Sequence, residues 1–197
     1  MENALITVES LSLERGGRQL LHDFALKAHA GDIILIEGEN GAGKTSLLRA
    51  LAGLSRFAWE GSIRTEAQGL LYLGHKPGVK QVLSARENLA WFCSSQGLPV
   101  SDIDAALNSV GLYGYEDVLC QSMSAGQQRR VNLARLYISR SPLWLLDEPF
   151  TSIDRDGVAA LGQTLVAQAR RGGAVIMTSH QDLQLDYPVT RVRLAQE

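Results

Sequence analysis

The sequence predicts an α/β fold, in which helices cover a wound and mostly parallel β-sheet. Residues 143–146 and 174–177 are unbroken apolar runs of strand length, and such strands are buried on both faces, as in a parallel sheet between helices. Residues 33–36 form a third run, which a glycine-rich loop joins to a helical pattern. This order of strands, loops and helices predicts a wound sheet with an antiparallel N-terminal subdomain and a small helical subdomain.

Composition limits the class of protein. The chain has 197 residues, of which 45% are hydrophobic and 20% charged, and its formal net charge is −2. These values fit one ordinary globular core and argue against a nucleic-acid partner. We expect no secretion signal at the start and no membrane span, because no apolar run reaches roughly 18 residues. Two isolated cysteines, Cys93 and Cys120, fit a reducing compartment, so we expect a soluble intracellular protein.

Strands dominate the first part of the chain. Residues 5–36 alternate apolar and polar in pieces separated by residues 16–17 and 30–32, which predicts short antiparallel strands leading into the strand at residues 33–36. Residues 61–64 and 70–73 are two further strand candidates.

The pattern becomes helical from Ser84. Apolar residues then recur at three- and four-residue spacing, as helices require: Leu89, Phe92 and Cys93. Residues 101–110 predict a second, short helix, with Ser101 as its N-cap and Gly111 after its end.

A longer helix is predicted from Ser124, because residues 124–127 have the form of a capping box. Its apolar face is expected at three positions: Val131, Ala134 and Ile138. Residues 154–171 predict a last helix, stopped by two glycines.

These elements predict one domain, residues 1–197. Its core is expected in residues 1–83 and 141–197, and its helical subdomain in residues 84–140.

Residues 38–45 read Gly-Glu-Asn-Gly-Ala-Gly-Lys-Thr and match the G-x-x-x-x-G-K-[ST] pattern between a strand and a helix. The glycines let backbone N–H groups turn toward an anion, and the helix N-terminus attracts it. Lys44 is expected to bridge the β- and γ-phosphates, and the Thr45 hydroxyl to ligate Mg²⁺. The predicted phosphate-binding residues are Gly38, Glu39, Asn40, Gly41, Ala42, Gly43, Lys44, Thr45 and Ser46. The pattern predicts a nucleoside triphosphate site.

Two other predicted strands end in residues that can bind Mg²⁺ or activate a water molecule. Asp147 and Glu148 follow one strand, and His180 follows the other. Because ligands of wound sheets lie beyond the carboxyl ends of the strands, we expect all three beside the phosphate loop. Asp147 is expected to hold Mg²⁺ through a water, and Glu148 to orient or deprotonate the attacking water. His180 is expected to contact the γ-phosphate and that water, the alternative being a structural histidine.

The order of these motifs along the chain resembles that of ABC-type ATPase domains. The resemblance covers nearly the whole chain. The stretch that distinguishes this family from other phosphate-loop ATPases is its signature, Ser-Ala-Gly-Gln at residues 124–127. The resemblance implies a P-loop NTPase fold of ABC type that binds ATP and Mg²⁺. It also implies that a signature contacts the γ-phosphate held by a second copy of the chain, in a head-to-tail dimer. The signature residues are Ser124, Ala125, Gly126 and Gln127. Asp154 then helps to couple the two sites.

Within that family, the chain is most similar to ATP-binding subunits of the haem exporters of cytochrome c maturation. The stretches that carry this similarity are residues 71–80, 84–89, 123–130 and 146–151. The similarity implies a peripheral protein on the cytoplasmic side of the bacterial inner membrane, held by integral membrane subunits. ATP hydrolysis then drives release of a haem-loaded chaperone, and this chain does not itself bind haem.

Two positions depart from the general ABC pattern. His75 occupies the position of the glutamine that links the γ-phosphate site to the membrane partner, and it can still exchange hydrogen bonds with water. Arg15 occupies the position of the aromatic residue that stacks on adenine, where a guanidinium plane can also stack; a solvated turn residue is the equal alternative. The resemblance also implies a docking groove near residues 74–100, in which one ring of Trp91 and Phe92 is expected to pack inward.

Three other functions are alternatives to an ATPase subunit of a haem exporter. An ABC transporter of another cargo has the same motifs, because the partner selects the cargo. A soluble ABC ATPase of DNA repair or ribosomes carries coiled-coil insertions or tandem domains, for which 197 residues leave no room. A regulator that binds nucleotide without hydrolysis is disfavoured by Glu148 and His180.

Overall fold

The computed structural model describes residues 4–180 and 184–194. The start of the chain, where we expected no secretion signal, lies outside them. No helix in the described part is long and apolar enough to cross a membrane. The chain packs as two compact units. The first takes in the described parts of residues 1–75, 141–149 and 165–197, and the second takes in residues 76–140 and 150–164.

The elements follow the chain in a mixed α/β order. The strands are β1 (Ala4–Arg15), β2 (Arg18–His29), β3 (Ile33–Glu37), β4 (Trp59–Thr65), β5 (Leu70–Leu73), β6 (Leu143–Leu146), β7 (Ala174–Thr178) and β8 (Thr190–Arg193). The helices are α1 (Lys44–Leu51), α2 (Ala85–Gln96), α3 (Ile103–Ser109), α4 (Ala125–Ile138) and α5 (Arg155–Arg170), with a 3₁₀ turn at Cys120–Ser122.

The first unit contains an antiparallel sheet with the strand order β2-β1-β4. β1 and β2 are 12 residues each, longer than the short pieces that the sequence predicted. Their register shifts at several points, one of them between Val8 and Leu11, next to Ser10 with a φ of 48°. Bulges of this kind add a residue to one strand and interrupt the apolar–polar alternation. That interruption made two continuous strands look like several short ones.

The first unit also contains the predicted parallel sheet, with the order β5-β6-β7-β3-β8 and parallel pairing throughout. All residues of β6 and β7 are buried, which confirms the prediction from their unbroken apolar runs. β8 was not predicted, because this short edge strand is mostly exposed and has no apolar run. The neighbouring positions of β6, β7 and β3 bring three strand ends to one edge of the sheet.

The second unit packs α2, α3 and α4 around its own apolar cluster. Ser84 and Ser124 both close capping boxes, at α2 and α4, and the predicted face of α4 joins the cluster. The predicted N-cap Ser101 is wrong: α3 begins at Ile103 after Asp102, and the Ser101 hydroxyl donates to the Asp102 carboxylate over 3.0 Å. Two adjacent polar residues compete for this position, and the sequence does not rank them.

Side-chain burial in α2 agrees with the sequence. Phe92 is 7% exposed and Trp91 52%, so one ring of the two packs inward as predicted. Cys93 and Cys120 are buried free thiols, and burial raises the pKa of both. They are structural residues of the apolar cluster.

Candidate nucleotide site

The glycine-rich loop between β3 and α1 adopts backbone conformations that require its glycines. Gly38, Gly41 and Gly43 have φ values of 154°, 87° and 93°, which other residues rarely adopt. A Cβ atom at Gly38 would also lie 3.2 Å from the Ala42 Cβ, and one at Gly43 would lie 3.1 Å from the Leu20 Cβ. Gly41 has open space around it, so its conformation alone requires glycine. Such successive turns form a concave surface of backbone N–H groups that suits an anion.

Lys44, the first residue of α1, folds back over this loop. Its Nζ donates to the carbonyl oxygens of Gly38, at 2.6 Å, and Glu39, at 3.0 Å. The residue is only 8% exposed. The loop therefore carries both an anion-binding backbone and a cation held at a defined place.

Asp147 follows β6 and links two neighbouring strands to the loop. One carboxylate oxygen accepts from the Thr45 hydroxyl and the other from the Thr178 hydroxyl, each at 2.9 Å. Asp147 is 1% exposed, so this hydrogen bonding compensates for the burial of its carboxylate. The structure thus brings Thr45 and Asp147 together, 102 residues apart in sequence.

A hydroxyl and a carboxylate are the hard oxygen ligands that Mg²⁺ accepts. The described residues contain no group of three or more His, Cys, Asp and Glu side chains that could hold a metal ion. The Thr45 hydroxyl and the Asp147 carboxylate offer oxygens of the kind that Mg²⁺ accepts beside phosphate and water.

Glu148 has a strained backbone and a defined side chain. Its φ is 51°, a left-handed conformation that costs a non-glycine residue on the order of 1–3 kcal/mol. The Thr178 hydroxyl accepts the Glu148 N–H at 2.9 Å and so supports that conformation. One carboxylate oxygen accepts the backbone N–H of His180 at 3.3 Å, and the other lies 3.3 Å from His180 Nε2.

Thr178 is a site residue that the sequence reasoning missed. Its single hydroxyl donates to Asp147 and accepts from the Glu148 backbone, which uses both capacities of the group. The indication in the sequence was a hydroxyl residue at the carboxyl end of the apolar strand β7. Thr178 therefore holds the two acidic residues in a fixed relation.

The two departures from the family pattern lie in different places in the first unit. His75 is exposed and follows β5, whose last residue, Leu73, accepts the Asp147 N–H at 2.8 Å; His75 is thus at the same sheet edge as Asp147. Arg15 ends β1, and its guanidinium lies 5.1 Å from the centre of the Phe57 ring. Both residues of that pair line a small cavity of about 50 Å³ together with Thr45. Phe57 was also missed, because no pattern marks it.

The signature residues belong to the second unit. The Ser124 hydroxyl accepts the Gln127 N–H at 3.2 Å, and the Gln127 side chain accepts the Ser124 N–H at 2.9 Å. The hydroxyl proton of Ser124 is not used in this capping box and can donate to an anion. Ser124 and Ala125 are exposed at the N-terminus of α4, where the helix dipole favours negative charge.

Asp154 precedes α5 in the same unit. One carboxylate oxygen accepts the Gly157 N–H at 2.8 Å, and the other pairs with Arg130 of α4. The Gly157 N–H, followed by Arg130, holds the pKa of Asp154 below its usual value. Asp154 is therefore a charged cap of α5.

Comparisons with known proteins show what the chain resembles. The family model described as ABC transporter matches residues 21–151. The cytochrome c biogenesis ATP-binding export protein CcmA of Hahella chejuensis is 45% identical over 204 residues, covering 98% of this chain and 97% of the relative. The protein of the same name from Saccharophagus degradans is 47% identical, covering 90% and 88%. A solved structure of the ATP-binding subunit of an ABC transporter has a TM-score of 0.81 at 21% identity, covering 89% of this chain and 79% of that one.

Proposed function

This chain belongs to the ABC transporter family, within the group of cytochrome c biogenesis ATP-binding export proteins, and we propose that it hydrolyses ATP for a membrane complex of that pathway. The supporting observation is a continuous set of hydrogen bonds. It runs from the phosphate loop at Thr45 through Asp147 and Thr178 to Glu148 and His180. A binding protein without turnover has no need for a strained, oriented carboxylate beside an exposed imidazole.

Hydrolysis transfers the γ-phosphoryl group to water, with ADP as the leaving group. Lys44 and the loop N–H groups hold the phosphates, and Glu148 orients the attacking water and accepts its proton. His180 lies within reach of the same carboxylate and contacts the water from the other side. When bound, Mg²⁺ neutralises developing charge on the phosphate oxygens, and Thr45 and Asp147 would hold it.

A second copy of the chain completes the site in this proposal. Each chain has one phosphate loop and one signature, and a head-to-tail pair places each signature against the ATP of the other copy. The exposed N-terminus of α4 at Ser124 and Ala125 supports that role, because it suits a phosphate. Asp154 couples the two sites across the pair.

The pathway is that of c-type cytochrome biogenesis, as the names of the relatives state. We propose that integral membrane subunits hold the chain at the cytoplasmic side of the inner membrane, and that hydrolysis drives release of a haem-loaded chaperone. The exposed ring of Trp91, with Lys80 Nζ 4.3 Å from its centre, supports a docking surface on the second unit. Haem is bound by the partners and not by this chain.

The test is co-purification with the membrane subunits, followed by measurement of ATPase activity and bound haem in the detergent-solubilised complex. Glu148→Gln should keep ATP binding, lower turnover by at least about tenfold, and trap an ATP-bound dimer. Glu9→Gln is the matched control, because Glu9 is an exposed carboxylate on the antiparallel sheet. Normal hydrolysis in Glu148→Gln would overturn the assignment of Glu148, and a complex without haem would argue for another cargo.

A further inference from the structure

We propose that Arg130 is a positioning residue for ATP hydrolysis, which holds Asp154 in a fixed place relative to the signature. The inference rests on the proposed function, in which Asp154 and the signature both act across the dimer. The supporting observation is the ion pair between Arg130 of α4 and Asp154 in the segment before α5. These two residues are 24 positions apart in sequence. All contacts of the pair lie within the second unit.

Further hydrogen bonds hold both members of the pair. Arg130 donates through one Nη to the Asp154 carboxylate and through the other to the Val110 carbonyl oxygen, at 3.4 Å. Asp154 keeps its other oxygen for the Gly157 N–H at 2.8 Å. Arg130 therefore connects the end of α3 with the start of α5, and a planar guanidinium suits this divided geometry.

Two glycines leave room for the pair. A Cβ atom at Gly111 would lie 2.8 Å from an Arg130 Nη, and one at Gly157 would lie 3.0 Å from an Asp154 carboxylate oxygen. Contacts this short would displace the guanidinium or the carboxylate. Gly111 and Gly157 thus leave space beside the guanidinium and the carboxylate.

Packing alone does not hold the guanidinium. Arg130 and Asp154 border a cavity of about 350 Å³, lined also by Leu133, Tyr137 and Ile153. A side chain beside such a space takes its position from its hydrogen bonds. The Arg130 and Asp154 side chains are 27% and 60% exposed, and a partly exposed ion pair contributes little to stability. Its loss should therefore change the position of Asp154 more than it changes the stability of the fold.

A second close contact joins the same two segments. A Cβ atom at Gly126 of the signature would lie 3.3 Å from the Ser152 carbonyl oxygen. Ser152 has a φ of 63°, a conformation that a serine keeps only when its surroundings require it. Gly126 and Arg130 are four residues apart and so lie on one face of α4. That face therefore contacts the segment before α5 twice, at Ser152 and at Asp154.

It follows that the signature and Asp154 move as one piece. When the signature contacts the nucleotide of the partner copy, Arg130 brings Asp154 to a matching position. A loosened Asp154 would leave ATP binding intact and impair the assembly of the hydrolytic site, and small misplacements of this kind can cost on the order of 10²-fold in rate.

The experiment is a double-mutant cycle in the full chain, purified with its membrane subunits. Arg130→Ala and Asp154→Asn are each expected to lower kcat about tenfold, with the Kd for ATP changed by less than about twofold. The double variant should be no slower than either single one, because both remove the same interaction. Arg130→Lys should recover part of kcat, since an ammonium can pair with Asp154 without reaching Val110.

Arg64→Ala is the matched control, because it removes an exposed arginine 2.7 Å from Glu9 and should leave kcat unchanged. Wild-type kcat in Arg130→Ala, or additive losses in the double variant, would overturn the inference. Should Arg130→Ala fail to fold, Arg130→Gln removes the charge of the ion pair with less loss of side-chain volume and takes its place in the cycle with Asp154→Asn. If Glu148→Gln is inactive while Arg130→Ala is fully active, only this inference fails; if the wild-type complex does not hydrolyse ATP, the proposed function fails with it.

Discussion

Replacing Thr178 by valine tests whether one buried hydroxyl organises the candidate site. Valine keeps the shape of the side chain but removes the donor to the Asp147 carboxylate and the acceptor of the Glu148 N–H, both at 2.9 Å. A hydrogen bond to a charged group is worth about 1.5–3 kcal/mol and a neutral one about 1 kcal/mol. Because Thr178 is fully buried, water cannot replace either bond, and we expect a loss of about 2–4 kcal/mol.

Thermal unfolding and ATPase turnover together measure this effect. For a chain of this size, about 1 kcal/mol corresponds to a Tm shift of about 2–4 °C, so Thr178→Val should lower the Tm by roughly 4–16 °C. Turnover should fall by at least about tenfold, because Glu148 can then leave its left-handed conformation. Thr178→Ser keeps the hydroxyl and is the control, with nearly normal turnover. A Thr178→Val protein with wild-type Tm and wild-type turnover would refute the reasoning.

Four further substitutions each test one side chain. Asn132→Leu, which keeps the branched shape of the side chain, should raise the free energy of unfolding by about 1 kcal/mol, since neither amide atom of this buried residue has a hydrogen-bond partner among the described residues; a clear loss in denaturant titrations would contradict this. Arg15→Ala should raise the Kd for ATP about two- to fivefold if the guanidinium stacks on the base, and Phe57→Ala should act in the same direction because its ring supports Arg15. An unchanged Kd in both would leave Arg15 as a surface residue. His75→Ala should lower ATPase stimulation by the membrane subunits, and unchanged basal and stimulated rates would remove His75 from the coupling.

The features predicted well from sequence are those with a local cause. The phosphate loop needs glycine at three positions within six residues, and the predicted capping box of Ser124 depends on Gln127, three positions later. The apolar runs of β6 and β7 are similarly local, because complete burial allows no polar residue within the strand. Such patterns predict the local backbone conformation directly. The structure confirms the glycine conformations, the helix cap and the buried strands.

The errors arose where the local sequence pattern was ambiguous, absent or interrupted. Ser101 and Asp102 are both acceptable at a helix start, and the chain places the start after Asp102. β8 has no apolar pattern, since it is a short edge strand that pairs with β3 along one side only. The bulges in β1 and β2 broke an alternation that the sequence could show only for unbroken strands.

By itself, the sequence determined the kind of fold, the glycine-rich loop between β3 and α1, and the positions of the acidic residues at the strand ends. Only the tertiary structure decided how these residues are held. Thr178 supports Asp147 and Glu148, Phe57 lies under Arg15, and Arg130 pairs with Asp154. Each of these contacts joins residues far apart in the chain. Periodicity and capping report only on neighbours within a few positions, whereas a contact between distant residues exists only after the sheet order and helix packing have formed.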